Sequence, residues 1–279
     1  MATKKSTISF LALVLLLSPI LAIADQDESE WNNTLKNQYF SGKTIEESNN
    51  IIELETPVRA EDPALVPLKI NTKIKQSNDS YIKKILVLVD KNPFPFVGEF
   101  EFTPYSGKAD LAMRVRVNTY SYIRAIAEMN DGKLYMTKKF VKASGGCSAP
   151  VGADLDAAMK RLGKMKFRLD EGVKTNEPTL VQLLISHPNL SGMQMDQVTR
   201  FVKKSHFVEQ MKISFNDKLI LTAKTDIAIS SDPNFRFFFV PEKAGTLKAE
   251  ITDTQCESPT SRDVCKPGNT YTETYAINP

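Results

Sequence analysis

The feature that most restricts what this chain can become is the spacing of its apolar residues beyond Ile51. They come in short bursts at strand intervals. Leu68-Lys69-Ile70-Asn71-Thr72-Lys73-Ile74 alternates apolar and polar; Met113, Val115 and Val117 alternate with Arg114, Arg116 and Asn118. Period two sends successive side chains to opposite faces, the mark of a half-buried strand. Ile85-Leu86-Val87-Leu88-Val89 is apolar without a break, short enough for a strand covered on both faces. Further strands are predicted at Ile51–Leu54, Val97–Phe102, Ile123–Glu128 and Lys133–Met136. Turn signals separate them, at Asn92-Pro93-Phe94-Pro95 and Asn130-Asp131-Gly132. This spacing predicts an antiparallel β-sandwich. Met165–Leu169 can pair as a short strand ahead of a polar linker, and a second set starts near Thr179: Leu180–Ile185, Met211 to Phe215, Leu219–Ala223 after Asn216-Asp217, Phe235–Val240, and Leu247 to Ile251. The fold class is mainly β, with two sandwiches.

Only two stretches read as helix. Trp31, Leu35 and Tyr39 stand four apart in a polar segment and predict a short amphipathic helix packed on the first sandwich. Leu155, Ala158, Met159 and Leu162 share one helical face, with Asp154 as N-cap and Gly163 as stop.

The N-terminus bears on compartment. Lys4 and Lys5 precede an apolar run from Ile8 to Leu21, and Ala22-Ile23-Ala24 forms a small-x-small site before Asp25. That is the pattern of a cleaved secretory signal peptide, too short to span a bilayer comfortably. Cleavage after Ala24 leaves 255 residues and lowers the net charge from +3 to +1. A nearly neutral chain argues against nucleic acid or an anionic membrane as the main partner. The expected location is the periplasm.

Three cysteines in an exported chain leave one unpaired. Cys256 and Cys265 lie close together in a polar tail and are expected to close a short disulfide loop. Cys147 is the odd thiol, in Ser144-Gly145-Gly146-Cys147-Ser148-Ala149-Pro150. Gly145 and Gly146 free the backbone and leave the sulfur uncrowded, so the thiol is expected in a flexible, accessible loop. The plainer reading is a glycine-rich linker with an incidental cysteine. No HExxH, CxxC, phosphate-binding glycine loop or GxSxG occurs. A Cys-His hydrolase would need Cys147 with His187 or His206, and His187, Met193 and Met195 could together attract copper. Against these, the glycine loop is a poor seat for a nucleophile, and Ser186-His187-Pro188 reads as a turn at a strand end. The expectation is no metal, no cofactor and no catalysis. A thiolate at Cys147 could instead be oxidised to a mixed disulfide or persulfide. No basic residue lies within three positions of it, so sequence gives no reason for a depressed thiol pKa.

Several of these segments resemble a known pair of proteins. Ile52-Glu53-Leu54 with Pro57 to Pro67, Thr119 to Glu128 and Gly145-Gly146-Cys147 resemble the SoxY sulfur-carrier subunit. Leu184-Ile185-Ser186-His187-Pro188, Phe215-Asn216-Asp217, Asn234-Phe235-Arg236-Phe237-Phe238 and Ala244-Gly245-Thr246 resemble its partner subunit SoxZ. Both in one chain resemble the SoxYZ-like fusions associated with quinoprotein dehydrogenases. The resemblance implies two immunoglobulin-like sandwiches, with Cys147 as the covalent carrier position supported by Gly145 and Gly146. It also implies periplasmic oxidoreductase partners, either Sox-type enzymes or a quinoprotein dehydrogenase and its cytochrome c. In the carrier subunit the cysteine lies at a free C-terminus. Here a helix and a whole domain follow, so the loop is tethered at both ends. The expected organisation is a signal peptide at 1–24, a SoxY-like sandwich at 25–146, and a cysteine loop, helix and linker at 147–177. A SoxZ-like sandwich at 178–253 and a tail at 254–279 complete it. The alternative function is an accessory interaction module in which Cys147 is incidental.

Overall fold

The first half of the chain supplies β1 (Ile45–Glu47), β2 (Ile52–Glu55), β3 (Val66–Thr72), β4 (Ile82–Val89), β5 (Phe96–Phe102), β6 (Leu111–Val115), β7 (Ser121–Met129) and β8 (Leu134–Val141). The second supplies β9 (Met165–Arg168), β10 (Thr179–Ile185), β11 (Val208–Phe215), β12 (Lys218–Thr225), β13 (Asn234–Phe239), β14 (Gly245–Cys256) and β15 (Cys265–Ile277). This computed structural model describes residues 27–150, 154–169, 172–256 and 265–279. The expected signal peptide lies outside them. No helix among the described residues is long and apolar enough to cross a membrane.

The strands form two sheets. One runs β1-β8-β7-β4-β5-β12-β11-β14-β15 and the other β2-β3-β6-β13-β10-β9. Both cross from the first half of the chain into the second. In the larger sheet β5 pairs antiparallel with β12, Phe102 facing Leu221 and Gly98 facing Thr225. In the smaller, β13 meets β6 at Arg236 and Ala112. The two sandwiches expected from sequence are therefore joined strand to strand as well as by the cysteine loop. Pairing at the seam covers strand edges that would otherwise be open to other chains. One apolar core runs across the join, and the rings of Phe100 and Phe235 stand 6.1 Å apart within it.

Burial follows the sequence pattern. Along β3, Val66, Leu68 and Ile70 are buried while Pro67 and Lys69 are exposed. The unbroken run in β4 has a cover for each face. Ile85, Val87 and Val89 enter the main core, and Leu86 and Leu88 pack under Trp31, Leu35 and Phe40. Those residues belong to a wide helical turn, Trp31–Leu35, that continues as α1 (Lys36–Phe40). Charge pins this cap in place. The buried Arg124 guanidinium binds Asp90 through both carboxylate oxygens, reaches Glu28 at 2.9 Å and lies 4.5 Å from the Trp31 ring centroid.

α2 (Leu155–Lys160) has the expected Asp154 cap, whose carboxylate accepts from the Asp156 and Ala157 amides, and Gly163 follows at φ +75°. Its apolar face is only partly used: Ala158 is buried and Met159 is exposed, because six residues make too short a helix to bury a stripe. The Asn216-Asp217 turn has positive φ at both residues, as a tight hairpin between β11 and β12 requires.

A larger departure concerns the C-terminus. Residues read as a polar tail form β15, thirteen residues long, paired along β14 from Cys256–Cys265 to Gly245–Ile277. β15 is an edge strand with one neighbour. Its largely exposed, Thr- and Tyr-rich sequence lacks the apolar alternation that marks a strand buried on one face.

Candidate functional site

Cys147 sits where the two halves of the chain meet, and it is buried, with 1% of its surface exposed. The two glycines that suggested a loose loop have different roles, positive φ at Gly145 and close packing at Gly146. Gly145 has φ +82° and its N–H donates to the Asn118 carbonyl at 2.8 Å. Gly146 donates to the Val117 carbonyl at 3.2 Å, and a methyl group on it would run into the backbone of Pro63 and Val117. From the other half, Ser191 Oγ donates to the Cys147 carbonyl at 2.5 Å. The expectation of an uncrowded, accessible sulfur is thus corrected. In this state the thiol is buried, in a loop held by first-half backbone at Pro63, Val117 and Asn118 and by the Ser191 side chain of the second half.

Its electrostatics have two opposed causes. Burial pushes the thiol up to about 11, while the nearby Arg116 guanidinium pulls it down and loses. Arg116 is itself fully buried. Burial lowers it to about 10, partly opposed by Cys147. Its Nη1 donates to the Ile227 carbonyl at 2.7 Å and the Ile229 carbonyl at 2.6 Å. Its Nε has no hydrogen-bond partner, and among the described residues no carboxylate acts on Arg116. A buried cation without a counter-ion beside a lone thiol suits an anionic state of that sulfur. Sequence reasoning missed it. Arg116 is far from Cys147 in the chain, and in an alternating strand it reads as a solvent-facing residue.

The histidines have a different organisation from the one weighed in sequence. His187 joins His206 and Asp253, with ring centroids 4.6 Å apart. Met193 packs near Phe207, Ile227 and Cys256, and Met195 is exposed. His206 Nε2 lies 2.9 Å from Asp253 Oδ2 and His187 Nε2 lies 3.5 Å from it. The Asn189 N–H donates to His187 Nδ1 at 3.0 Å, which assigns the proton of the neutral ring to Nε2, facing the carboxylate. The Asn269 N–H and the Tyr271 hydroxyl also donate to Asp253. Burial alone would raise this carboxyl, but its donors outweigh it and hold Asp253 well below the usual range. Burial likewise lowers His187. His206, Asn269 and Tyr271 surround the carboxylate, His187 Nε2 stands 3.5 Å from it without a hydrogen bond, and in this tautomer His187 offers a metal no lone pair. Neither histidine is placed to activate Cys147 by any contact in the structure.

The disulfide expected between Cys256 and Cys265 is present and joins β14 to β15.

Residues 36–147 match the family model of sulfur oxidation protein SoxY, and residues 166–263 match that of sulphur oxidation protein SoxZ. The chain is a SoxY domain fused to a SoxZ domain. The SoxY match ends on Cys147 itself, and the SoxZ domain supplies Ser191, which holds that residue's carbonyl. Proteins of these two families serve as carriers in sulfur oxidation rather than as catalysts, and they work with Sox-type oxidoreductases. Among solved structures, the sulfur carrier protein SoxY from Chlorobium limicola f thiosulfatophilum is 24% identical. That match covers 41% of this chain and 92% of the SoxY chain, with a TM-score of 0.34. A superoxide reductase (neelaredoxin) from Ignicoccus hospitalis is 16% identical over 34% of this chain and 80% of its own, with a TM-score of 0.31. No curated protein matches the chain.

Proposed function

We infer that this SoxY–SoxZ chain is a periplasmic carrier that holds a sulfur intermediate covalently on Cys147 for Sox-type oxidoreductases. The supporting observation is that its one free thiol is buried near a buried Arg116 that has no carboxylate partner among the described residues, at the junction of the two domains. The chemistry balances for a thiosulfate-derived cargo. Cys147 loses its proton to solvent, and its sulfur bonds to the terminal sulfur of thiosulfate. Two electrons pass to the partner oxidoreductase, leaving a cysteine S-thiosulfonate of charge −1. Arg116 is the group beside Cys147 able to balance that charge. Because the thiol holds its proton up to about 11 when enclosed, only about one molecule in ten thousand is ionised at pH 7 in this state. Loading therefore requires the loop to open, and a quinoprotein dehydrogenase with its cytochrome c is a second class of partner that could drive it.

The test is intact-mass and peptide mass spectrometry of protein taken from its native periplasm without reductant. A sulfur-containing adduct on Cys147, and none on a Cys147→Ser chain, is expected. An unmodified thiol under active sulfur oxidation, with undiminished oxidation in the Cys147→Ser strain, would leave the chain an accessory interaction module.

A further inference from the structure

The segment from Leu190 to His206 projects between β10 and β11 as a closed hairpin. Leu190 and His206 exchange backbone hydrogen bonds of 2.7 and 3.0 Å at its base. Higher up, the Lys203 N–H donates to the Gln194 carbonyl at 2.8 Å and the Asp196 N–H to the Phe201 carbonyl at 2.9 Å. At the tip, Asp196 Oδ1 accepts from the Val198 and Thr199 amides, and its carboxylate binds Lys203 Nζ at 2.6 Å. The tip is therefore held in shape by its own hydrogen bonds.

On this shaped tip the apolar side chains point to water. Val198 is 91% exposed and Phe201 77%, the two most exposed large apolar residues among those described; Met195 and Val202 are 45% and 40% exposed. They add nothing to the core, so folding does not account for them. Lys203 is neutralised by Asp196, which leaves Arg200 and Lys204 exposed beside the patch with no ion pair among the described residues. The base of the same hairpin holds Cys147 through Ser191 Oγ, and Ser205 Oγ ties back to the Ser191 carbonyl at 3.2 Å.

We propose that this hairpin tip is the docking surface for the oxidoreductase that charges Cys147, entering a pocket with an apolar floor and a carboxylate rim. The proposal rests on the carrier reading of Cys147. A patch of four apolar side chains on one hairpin tip fits the small, transient contacts of redox partners, which sit at the low end of interface size. Arg200 and Lys204 steer an acidic rim and fix its orientation. The partner then sits on the element whose base closes over the thiol, so docking and uncovering of Cys147 act on one hairpin.

The experiment measures binding of a purified Sox-type thiosulfate-oxidising enzyme to the full mature chain carrying Cys147→Ser, so that affinity is read without loading. Adding Val198→Ser with Phe201→Ser is expected to weaken binding at least tenfold. Arg200→Glu with Lys204→Glu is expected to weaken it and to flatten its salt dependence. In chains that keep Cys147, both pairs should slow enzymatic loading while leaving Cys147 as protected from iodoacetamide as before, which shows that they fold. Unchanged affinity and loading in both pairs would overturn the proposal. So would a tip-dependent dimer in sedimentation velocity, or tip-dependent binding to anionic phospholipid vesicles in place of the enzyme. Tip-dependent binding without any sulfur ever appearing on Cys147 would sink the carrier reading and leave the docking surface standing.

Discussion

Cys147 carries its proton because desolvation outweighs a nearby positive charge. The consequence for stability has a definite sign. The folded thiol holds its proton to about 11 against an ordinary 9.0, so between those values the unfolded chain binds fewer protons than the folded one. Stability contributed by this group is therefore intact below pH 9 and falls as pH rises. About 1.4 kcal/mol of the effect should appear between pH 8 and 10. Urea unfolding across that range should show a steeper loss for the wild type than for Cys147→Ser. Equal slopes would mean that the thiol is open to water in solution, and the gating by burial would go with it.

The hairpin of β14 and β15 shows how one element supports several others. Its disulfide closes a span nine residues apart in sequence, and Asp253 lies on β14 beneath it. Asn269 and Tyr271 on β15 donate to that carboxylate, which in turn holds His206 at the base of the exposed hairpin. Replacing Cys256 and Cys265 by Ser should cost about 2–3 kcal/mol through the freed chain entropy. The urea midpoint should fall accordingly, and hydrogen exchange should speed up first along Tyr271 to Ala276. An unchanged midpoint would show that the β-ladder holds β15 without the bond.

Across the whole molecule the seam decides how the two domains behave. Both sheets and the core continue through it, and Thr103 Oγ1 donates across it to the Leu219 carbonyl at 2.6 Å. Calorimetry should therefore give one endotherm whose calorimetric and van't Hoff enthalpies agree. Phe100→Ala, which empties a buried site on β5 next to the seam, should lower that single transition by about 3–5 kcal/mol without splitting it. Two resolved transitions would mean that the SoxY and SoxZ domains unfold independently.

Sequence alone determined most of the strands, though not β1 or β15, because a half-buried strand writes its two environments into alternate residues, as in Val66 to Ile70. It also determined the disulfide and the free thiol, since cysteines can be counted and the pair lies close in the chain. It missed β15, whose exposed edge position leaves no alternation to read. It read backbone permissiveness correctly at Gly145, which has positive φ, but not the close packing of Gly146, because both needs call for the same residue. The burial of that thiol was decided in three dimensions. Ser191 and the Ile227 and Ile229 carbonyls that hold Arg116 come from the other half of the chain, and only the pairing of β5 with β12 and β6 with β13 brings them to Cys147.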